Sequence, residues 1–141
     1  MAESFELEIA TPERLLARVQ AIEAQIPAAN GYLGILPDHA PLLSELGIGA
    51  MTYQVLGGQT HHLVIHGGWV EVTPGSVRVL ATKAEDANEI DEARAEEAMK
   101  RAAQRLSNPE LGLDMARALN ALKRAQARLA ARKLLQQGVN N

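Results

Sequence analysis

The chain of 141 residues contains no cysteine, and only 3% of its residues are aromatic. The missing thiols exclude a disulfide framework, a thiolate metal site and a cysteine nucleophile. With one Phe, one Trp and two Tyr, the chain must build its core from aliphatic side chains. No apolar run approaches the ~20 residues that a membrane-spanning helix requires. The acidic start, MAESFELEIA, also lacks the basic residues of an export signal.

Charge and composition divide the sequence into two halves, although the net charge is only −3 and argues against a general nucleic-acid binder. Residues 1–80 carry three basic and eight acidic side chains, whereas residues 100–141 carry nine basic and two acidic ones. From Ala81 onward alanine is the commonest residue and β-branched residues become rare, which favours helix. We therefore predict two domains, residues 1–84 and 85–141.

The first half has the pattern of short β-strands. Phe5, Leu7 and Ile9 alternate with glutamates, as they do in a strand with one buried face. Turn signals separate the later apolar segments, at Asn30-Gly31, Gly57-Gly58, Gly67-Gly68 and Pro74-Gly75. This spacing predicts a β-sandwich or flattened barrel of about ten strands.

The second half is predicted to form two helices, which gives an α+β fold. Asp91 can cap the first helix, and Ser107-Asn108-Pro109 ends it. Asp114 can cap a second helix that runs to about Gln136, with Gly138 beyond its end. The short connection favours an antiparallel hairpin. A narrow apolar stripe on the second helix requires that the hairpin pack on the β domain or on a partner; it consists of Met115, Leu119, Leu122 and Leu129.

Arginines recur at helical spacing on both predicted helices. Arg94, Arg101 and Arg105 share one face of the first helix. The corresponding face of the second helix carries Arg117, Arg124, Arg128 and Arg132. Guanidinium groups bind phosphates and carboxylates in a bidentate manner, so the faces suit either a nucleotide or an acidic protein segment. Solvated faces with local pairs, such as Glu97 with Arg101, would give the same pattern.

Motifs of the common catalytic sites are missing from the sequence. It has no GxxxxGK[ST] loop, no GxSxG and no HExxH, and Gly47-Ile48-Gly49 is more typical of a turn than of a dinucleotide site. His61 and His62 are adjacent on a predicted strand and would point to opposite faces, which argues against a metal site with His66. We therefore predict no catalytic residue, no metal site and no enzyme activity for the chain alone.

Four segments together resemble the epsilon subunits of bacterial F-type ATP synthases. They are GYLGILPDHAPLL (31–43), GGWVEVTPGSVRVLA (67–81), IDEARA (90–95) and NALKRAQARLAARK (120–133). The likeness covers essentially the whole chain, and the motifs have the order and spacing of that family. The resemblance implies a rotor subunit without an active site, which couples proton-driven rotation to ATP synthesis.

The resemblance also implies where the first domain binds. In this family the sandwich docks on the gamma subunit and on the ring of c subunits, and the complex holds it peripherally at the cytoplasmic face of the inner membrane, without insertion. Tyr32 and Asp38 depart from the family pattern, in which an acidic residue and a glycine are common. The matching interface loop comprises Gly31, Tyr32, Leu33, Gly34, Pro37, Asp38, His39 and Pro41.

For the hairpin, the resemblance implies a brake on ATP hydrolysis. In its extended state it reaches the alpha/beta catalytic head, where the basic second helix meets an acidic segment of a beta subunit. The residues placed for that contact are Arg117, Arg124, Arg128, Arg132 and Lys133. Some members hold ATP in the folded hairpin as a regulatory ligand, and no other cofactor is implied. The matching positions are Glu85, Asp91, Arg94, Ala95, Arg101, Arg124 and Arg128.

Two other classes of function compete with this interpretation. A stand-alone nucleotide sensor would close its hairpin on the ligand but would not co-purify with gamma. A nucleic-acid binder would use the basic tail, and its binding to random DNA would depend strongly on salt. The acidic first domain argues against nucleic acid as a partner.

Overall fold

Six β-strands precede two α-helices in the computed structural model, which describes residues 2–139. This order confirms the predicted β half and helical half. A single 3-10 turn, Ala87–Glu89, joins the two halves. The elements are β1 (Phe5–Ala10), β2 (Leu15–Ala28), β3 (Gly31–Ile35), β4 (Leu42–Val55), β5 (Thr60–Thr73), β6 (Ser76–Asp86), α1 (Glu92–Ser107) and α2 (Met115–Val139).

The strands form one sheet that closes on itself. Their order is β1-β6-β5-β4-β2-β3, and β1 also pairs with β2. All pairings are antiparallel except the parallel pair β1 and β6. Closure leaves few unpaired strand edges, so the flattened barrel, called the sandwich below, protects its backbone groups.

The prediction of about ten strands was wrong, since residues 2–139 contain six. Three of them, β2, β4 and β5, are 14 residues long. Gly47 and Gly67, which the sequence pattern predicts to lie between strands, lie inside the continuous strands β4 and β5. Glycine in a strand commonly marks a tight bend at a barrel corner.

The bend at Gly67-Gly68 decides which side chains of β5 face the core. Before it, Leu63 and Ile65 point into the main core, and after it Val70 does so. The inward positions therefore change from odd to even numbers across the two glycines, which have positive φ angles of 70° and 118°. As a consequence, Val64 lies on the outer face, in the apolar cluster beneath the helices.

Replacing Gly68 with alanine is expected to destabilise the sandwich more than the same change at Gly57. A Cβ at Gly68 would lie 2.1 Å from the carbonyl oxygen of Leu80, whereas one at Gly57 would meet nothing within 4 Å. Both residues have positive φ angles, so both variants acquire backbone strain of about 1–3 kcal/mol. Only Gly68→Ala adds a clash, and its total loss should exceed about 3 kcal/mol. Urea unfolding measures both losses; equal values would contradict this account of the bend.

The main core is aliphatic, as the composition requires. All six strands contribute fully buried large side chains to it: Leu7, Ile9, Ile26, Ile35, Met51, Ile65, Val70, Val77 and Val79. Among residues 2–139, no charged side chain belongs to this main core. Burial of apolar area at roughly 25 cal/mol per Å² is the main force that holds the sandwich together.

Both predicted helix starts are confirmed. The Asp91 carboxylate accepts a hydrogen bond from the backbone N–H of Arg94, and that of Asp114 accepts one from Arg117, each at 3.1 Å. The first helix ends at Ser107 as expected. The second continues to Val139, so the prediction that Gly138 lies beyond its end was wrong. No helix within residues 2–139 combines the length and apolarity needed to cross a membrane.

Alanines, rather than the predicted leucine stripe, form the buried faces of the hairpin. Met115 and Leu119 are exposed on α2. The helices pack on each other, and the alanines buried at seven-residue spacing are Ala95 and Ala102 on α1 with Ala118 and Ala125 on α2. Small side chains let helix backbones approach closely. Leu122 and Leu129, the other two residues of the predicted stripe, are half-buried.

The hairpin is folded against the sandwich through α2, which packs on β4 and β5. The contact is a small apolar cluster, separate from the main core, that we call the docking cluster. It comprises Ile48, Ala50, Val64, Ala87, Ile90, Ala127, Ala131 and Leu135. Since half of these side chains are alanine, the apolar area that holds the hairpin against the sandwich is modest.

Candidate functional site

Beside the docking cluster, Glu85 joins the sandwich to the hairpin. Its Oε1 accepts hydrogen bonds from Nε2 of His66 at 2.6 Å and from Nε of Arg128 at 2.9 Å. A second guanidinium nitrogen of Arg128 lies 2.9 Å from the same oxygen. His66 and Glu85 come from neighbouring strands, and Arg128 comes from α2. This three-residue group, called the Glu85 cluster, is a polar link between the two domains.

Burial and charge set the protonation states of the Glu85 cluster. Burial acts to raise the pKa of Glu85, but hydrogen bonds from His66 and Arg128 outweigh it and hold the pKa below its usual value of 4.5. For His66, whose side chain is 8% exposed, burial lowers the pKa below 6.5, and the bond to Glu85 only partly opposes this. We infer that Glu85 is ionised and accepts a hydrogen bond from the neutral imidazole ring of His66.

Two buried nitrogen atoms at this junction have no hydrogen-bond partner among residues 2–139: Nδ1 of His66 and Nε of Arg132. The unpartnered Nδ1 suits a neutral ring, since a second N–H there would lack an acceptor. Arg132 also donates from Nη1 to the carbonyl oxygen of Ala87 at 3.2 Å. Thus two arginines of α2 contact the segment at which the sandwich ends.

A cavity of about 350 Å³ opens next to the Glu85 cluster, between the end of β6 and α1. Its wall is rich in charge, with four cationic and three acidic side chains. The lining residues are Lys83, Glu85, Glu89, Ile90, Asp91, Arg94, Ala95, Ala98, Arg101 and Arg128. We call this cavity the hairpin pocket. Guanidinium and ammonium groups around a concave site can bind a phosphate-bearing ligand.

The structure brings together six of the seven positions that the sequence suggested for ATP. Glu85, Asp91, Arg94, Ala95, Arg101 and Arg128 all line the hairpin pocket. Arg124, the seventh, is half-buried on α2 but is not part of this lining. Arg105, which the sequence placed on the same face as Arg101, lies with it along a second groove near the helix turn.

Three titratable residues of the Glu85 cluster and the hairpin pocket were not predicted as site residues: His66, Lys83 and Glu89. His66 was considered only as a metal ligand, and Lys83 was not considered. A signal was present for Lys83, because residues two apart on a strand share a face and Lys83 precedes Glu85 by two. His66 gave no such signal, since its place opposite Lys83 depends on the register of β5 with β6.

The predicted rotor-interface loop spans β3 and the connection to β4. Tyr32 is exposed, but its hydroxyl donates to the carbonyl oxygen of Ala50 at 2.8 Å. Asp38 has a positive φ of 67°, a conformation that glycine adopts without strain. Leu36 in this loop and Leu43 at the start of β4, at 60% and 69% exposure, form an apolar surface.

A second apolar surface crosses four neighbouring strands, β2, β1, β6 and β5. Ala10 pairs with Leu15 and with Leu80, and Leu80 pairs with Trp69, so their side chains follow one row across four strands. Leu15, Trp69 and Leu80 are exposed. Contiguous exposed apolar surface of this kind marks a protein interaction site.

Models of two protein domains match the chain in succession. Residues 4–87 match the beta-sandwich domain of the ATP synthase Delta/Epsilon chain. Residues 88–133 match the long alpha-helix domain of the same chain. Together the matches follow the division between sandwich and hairpin that the structure shows.

Two sequence relatives agree with the domain matches. The chain is 56% identical over 114 residues to an ATP synthase epsilon chain of Solibacter usitatus, covering 81% of this chain and 84% of the relative. It is 54% identical over 112 residues to one of Koribacter versatilis, covering 78% of each.

Among solved structures, a chain of the Euglena gracilis mitochondrial ATP synthase (OSCP/F1/c-ring) shares the fold, with a TM-score of 0.83, 21% identity, and coverage of 93% of this chain and 82% of that one. A chain from the central stalk/c-ring of the Tetrahymena thermophila mitochondrial enzyme gives 0.56 at 17% identity, covering 93% and 95%. The sequence relatives and the domain matches carry the assignment: this chain belongs to the ATP synthase Delta/Epsilon chain family.

Proposed function

We propose that this chain is a central-stalk subunit of an F-type ATP synthase whose hairpin acts as a reversible brake on ATP hydrolysis. It has no active site of its own, and the synthase holds it at the cytoplasmic face of the membrane. The observation that carries the brake is the modest contact between hairpin and sandwich. A docking cluster rich in alanine, supplemented by a few polar bonds, can open without unfolding either domain.

The docked and the braking states would compete for the same arginines. In the docked state Arg128 binds Glu85 and Arg132 binds the carbonyl oxygen of Ala87, while Arg117 and Lys133 are exposed. Undocking would release Arg128 and Arg132 to join the others, including Arg124, against an acidic segment of a beta subunit. The same side chains can therefore contact either the sandwich or the beta subunit, but not both at once, as a two-state element requires.

The two apolar surfaces of the sandwich would bind the rotor. The loop with Leu36 and Leu43 and the row with Trp69 and Leu80 are both exposed in the isolated chain. We assign the loop to the gamma subunit and the c-subunit ring, and the row to gamma. Burial of these side chains would supply the hydrophobic part of the docking free energy.

ATP is the regulatory ligand that we propose for the hairpin pocket. The pocket lies between β6 and α1, its lining includes Arg94, Arg101 and Arg128, and its volume is about 350 Å³. A ligand that binds only while the hairpin is docked stabilises that state by mass action. High ATP would then keep the brake released.

Truncation of the chain after Asn88 within the complete synthase tests the brake. We expect the shortened chain to assemble with the rotor, because β6 ends at Asp86, and we expect ATP hydrolysis to rise several-fold since α2 is gone. Hydrolysis rates of purified complexes with the full and the truncated chain provide the measurement. An unchanged rate would contradict the brake, and failure to assemble would contradict docking through the sandwich.

A further inference from the structure

Lys83 is the one cationic side chain that the sandwich contributes to the hairpin pocket. It lies on β6, paired with His66 of β5, and two residues before Glu85. The remaining cations of the lining, Arg94, Arg101 and Arg128, all come from the hairpin helices. A ligand that contacts Lys83 would therefore touch both domains at once.

Most of the other charges in the pocket already have partners. Arg128 is bound to Glu85, and Arg101 pairs with Glu97 at 3.6 Å. The Asp91 carboxylate caps α1. Within residues 2–139, neither the ammonium of Lys83 nor the guanidinium of Arg94 forms a salt bridge. These two groups face the pocket from opposite domains and remain available for anionic oxygen atoms.

We propose that Lys83 is a phosphate-binding residue of the hairpin pocket, and that through it the ligand joins the sandwich to the hairpin. This inference rests on the proposed binding of ATP. Two separate cations in one cavity match a ligand with several phosphate groups better than one with a single group. Lys83 thus favours nucleoside triphosphates over monophosphates and makes binding stabilise the docked state.

Calorimetric titration of the full chain with ATP, ADP and AMP tests this role. Lys83→Gln removes the charge but keeps a side chain of similar length, and Lys100→Gln is a matched control on the exposed face of α1, outside the pocket. We expect Lys83→Gln to weaken ATP binding about tenfold, with a smaller loss for ADP and little loss for AMP. Lys83→Arg should restore most of the ATP affinity, and Lys100→Gln should bind as the wild type does.

Hydrogen exchange of α2 supplies a second readout, because it reports docking rather than affinity. At saturating ATP the exchange of α2 should slow markedly in the wild type and less in Lys83→Gln. Equal ATP affinities for wild type and Lys83→Gln would overturn the role of Lys83 alone, as would equal losses in Lys83→Gln and Lys100→Gln. If the wild-type chain itself gave no heat with ATP, the proposed ATP site would fail, and Lys83 with it.

Discussion

Glutamate in place of Ala131 is expected to release the hairpin from the sandwich while both domains stay folded. Ala131 is fully buried in the docking cluster, where Ala50 and Val64 of the sandwich are also buried. A carboxylate there is too large for the space and would lose its hydration, which should cost about 3 kcal/mol or more. Hydrogen exchange of the isolated chain should show faster exchange along α2 with unchanged protection of the strands.

Ala130→Glu is the matched control for this variant, because residue 130 is exposed one position earlier on the same helix. It should leave exchange unchanged. In the complete synthase, Ala131→Glu should lower ATP hydrolysis, which is the opposite of truncation, since the released helix can reach the catalytic head. Normal docking of the hairpin in Ala131→Glu would contradict the role of the docking cluster as the contact that keeps the hairpin docked and the brake released.

Acidification is expected to undock the hairpin, beginning below about pH 6.5. In the docked state the pKa of His66 lies below 6.5 because the ring is buried. The ring therefore binds a proton more readily when the hairpin is undocked. Docking therefore weakens as the pH falls from 6.5 toward the lowered pKa. Lys83, Glu85 and Arg128 are the charged groups that act on His66 from β6 and α2.

Glu85 acts in the same direction over a lower range. Its pKa in the docked state is below 4.5, so its contribution to docking is complete above pH 4.5 and is lost as the pH falls through the lowered value. We therefore expect two stages of acid undocking, in which His66 titrates first and Glu85 follows.

Fluorescence energy transfer can follow docking across this range, since hydrogen exchange itself depends on pH. The chain has no cysteine, so a pair introduced at the exposed positions Gln59 and Gln137 can carry the dyes. His66→Gln keeps a donor for Glu85 but cannot titrate, and its docking should be flat from pH 7 to 5. His62→Gln is the control: burial also lowers the pKa of His62, but its ring bonds to Thr52 within the sandwich. A wild-type profile that is flat above pH 5 would contradict the role of His66.

The number of strands was the feature of the fold for which the prediction from sequence was furthest from the structure. Glycine pairs normally signal turns, and Gly57-Gly58 does connect two strands here. Gly67-Gly68, with the same letters, lies inside β5. The difference depends on contact with another strand, since Gly68 approaches Leu80 too closely for any Cβ. Local sequence does not contain that contact.

The sequence also did not predict which face of α2 packs on the sandwich. Hydrophobicity favoured Met115 and Leu119, yet these are exposed and Ala127 and Ala131 are buried. Alanine is a weak hydrophobic signal, and its burial here follows from the close approach of α2 to β4 and β5. Only the geometry of that approach selects small side chains over large ones.

By itself, the sequence determined the division into a strand-rich and a helical half, the caps at Asp91 and Asp114, the aliphatic core and the family. These properties depend on composition and on neighbours close along the chain, so they can be read without coordinates. The tertiary structure alone decided that His66, Glu85 and Arg128 meet, because Glu85 and Arg128 are 43 positions apart. The register of β5 with β6 and the docking of α2 bring them together, and those depend on packing across the whole molecule.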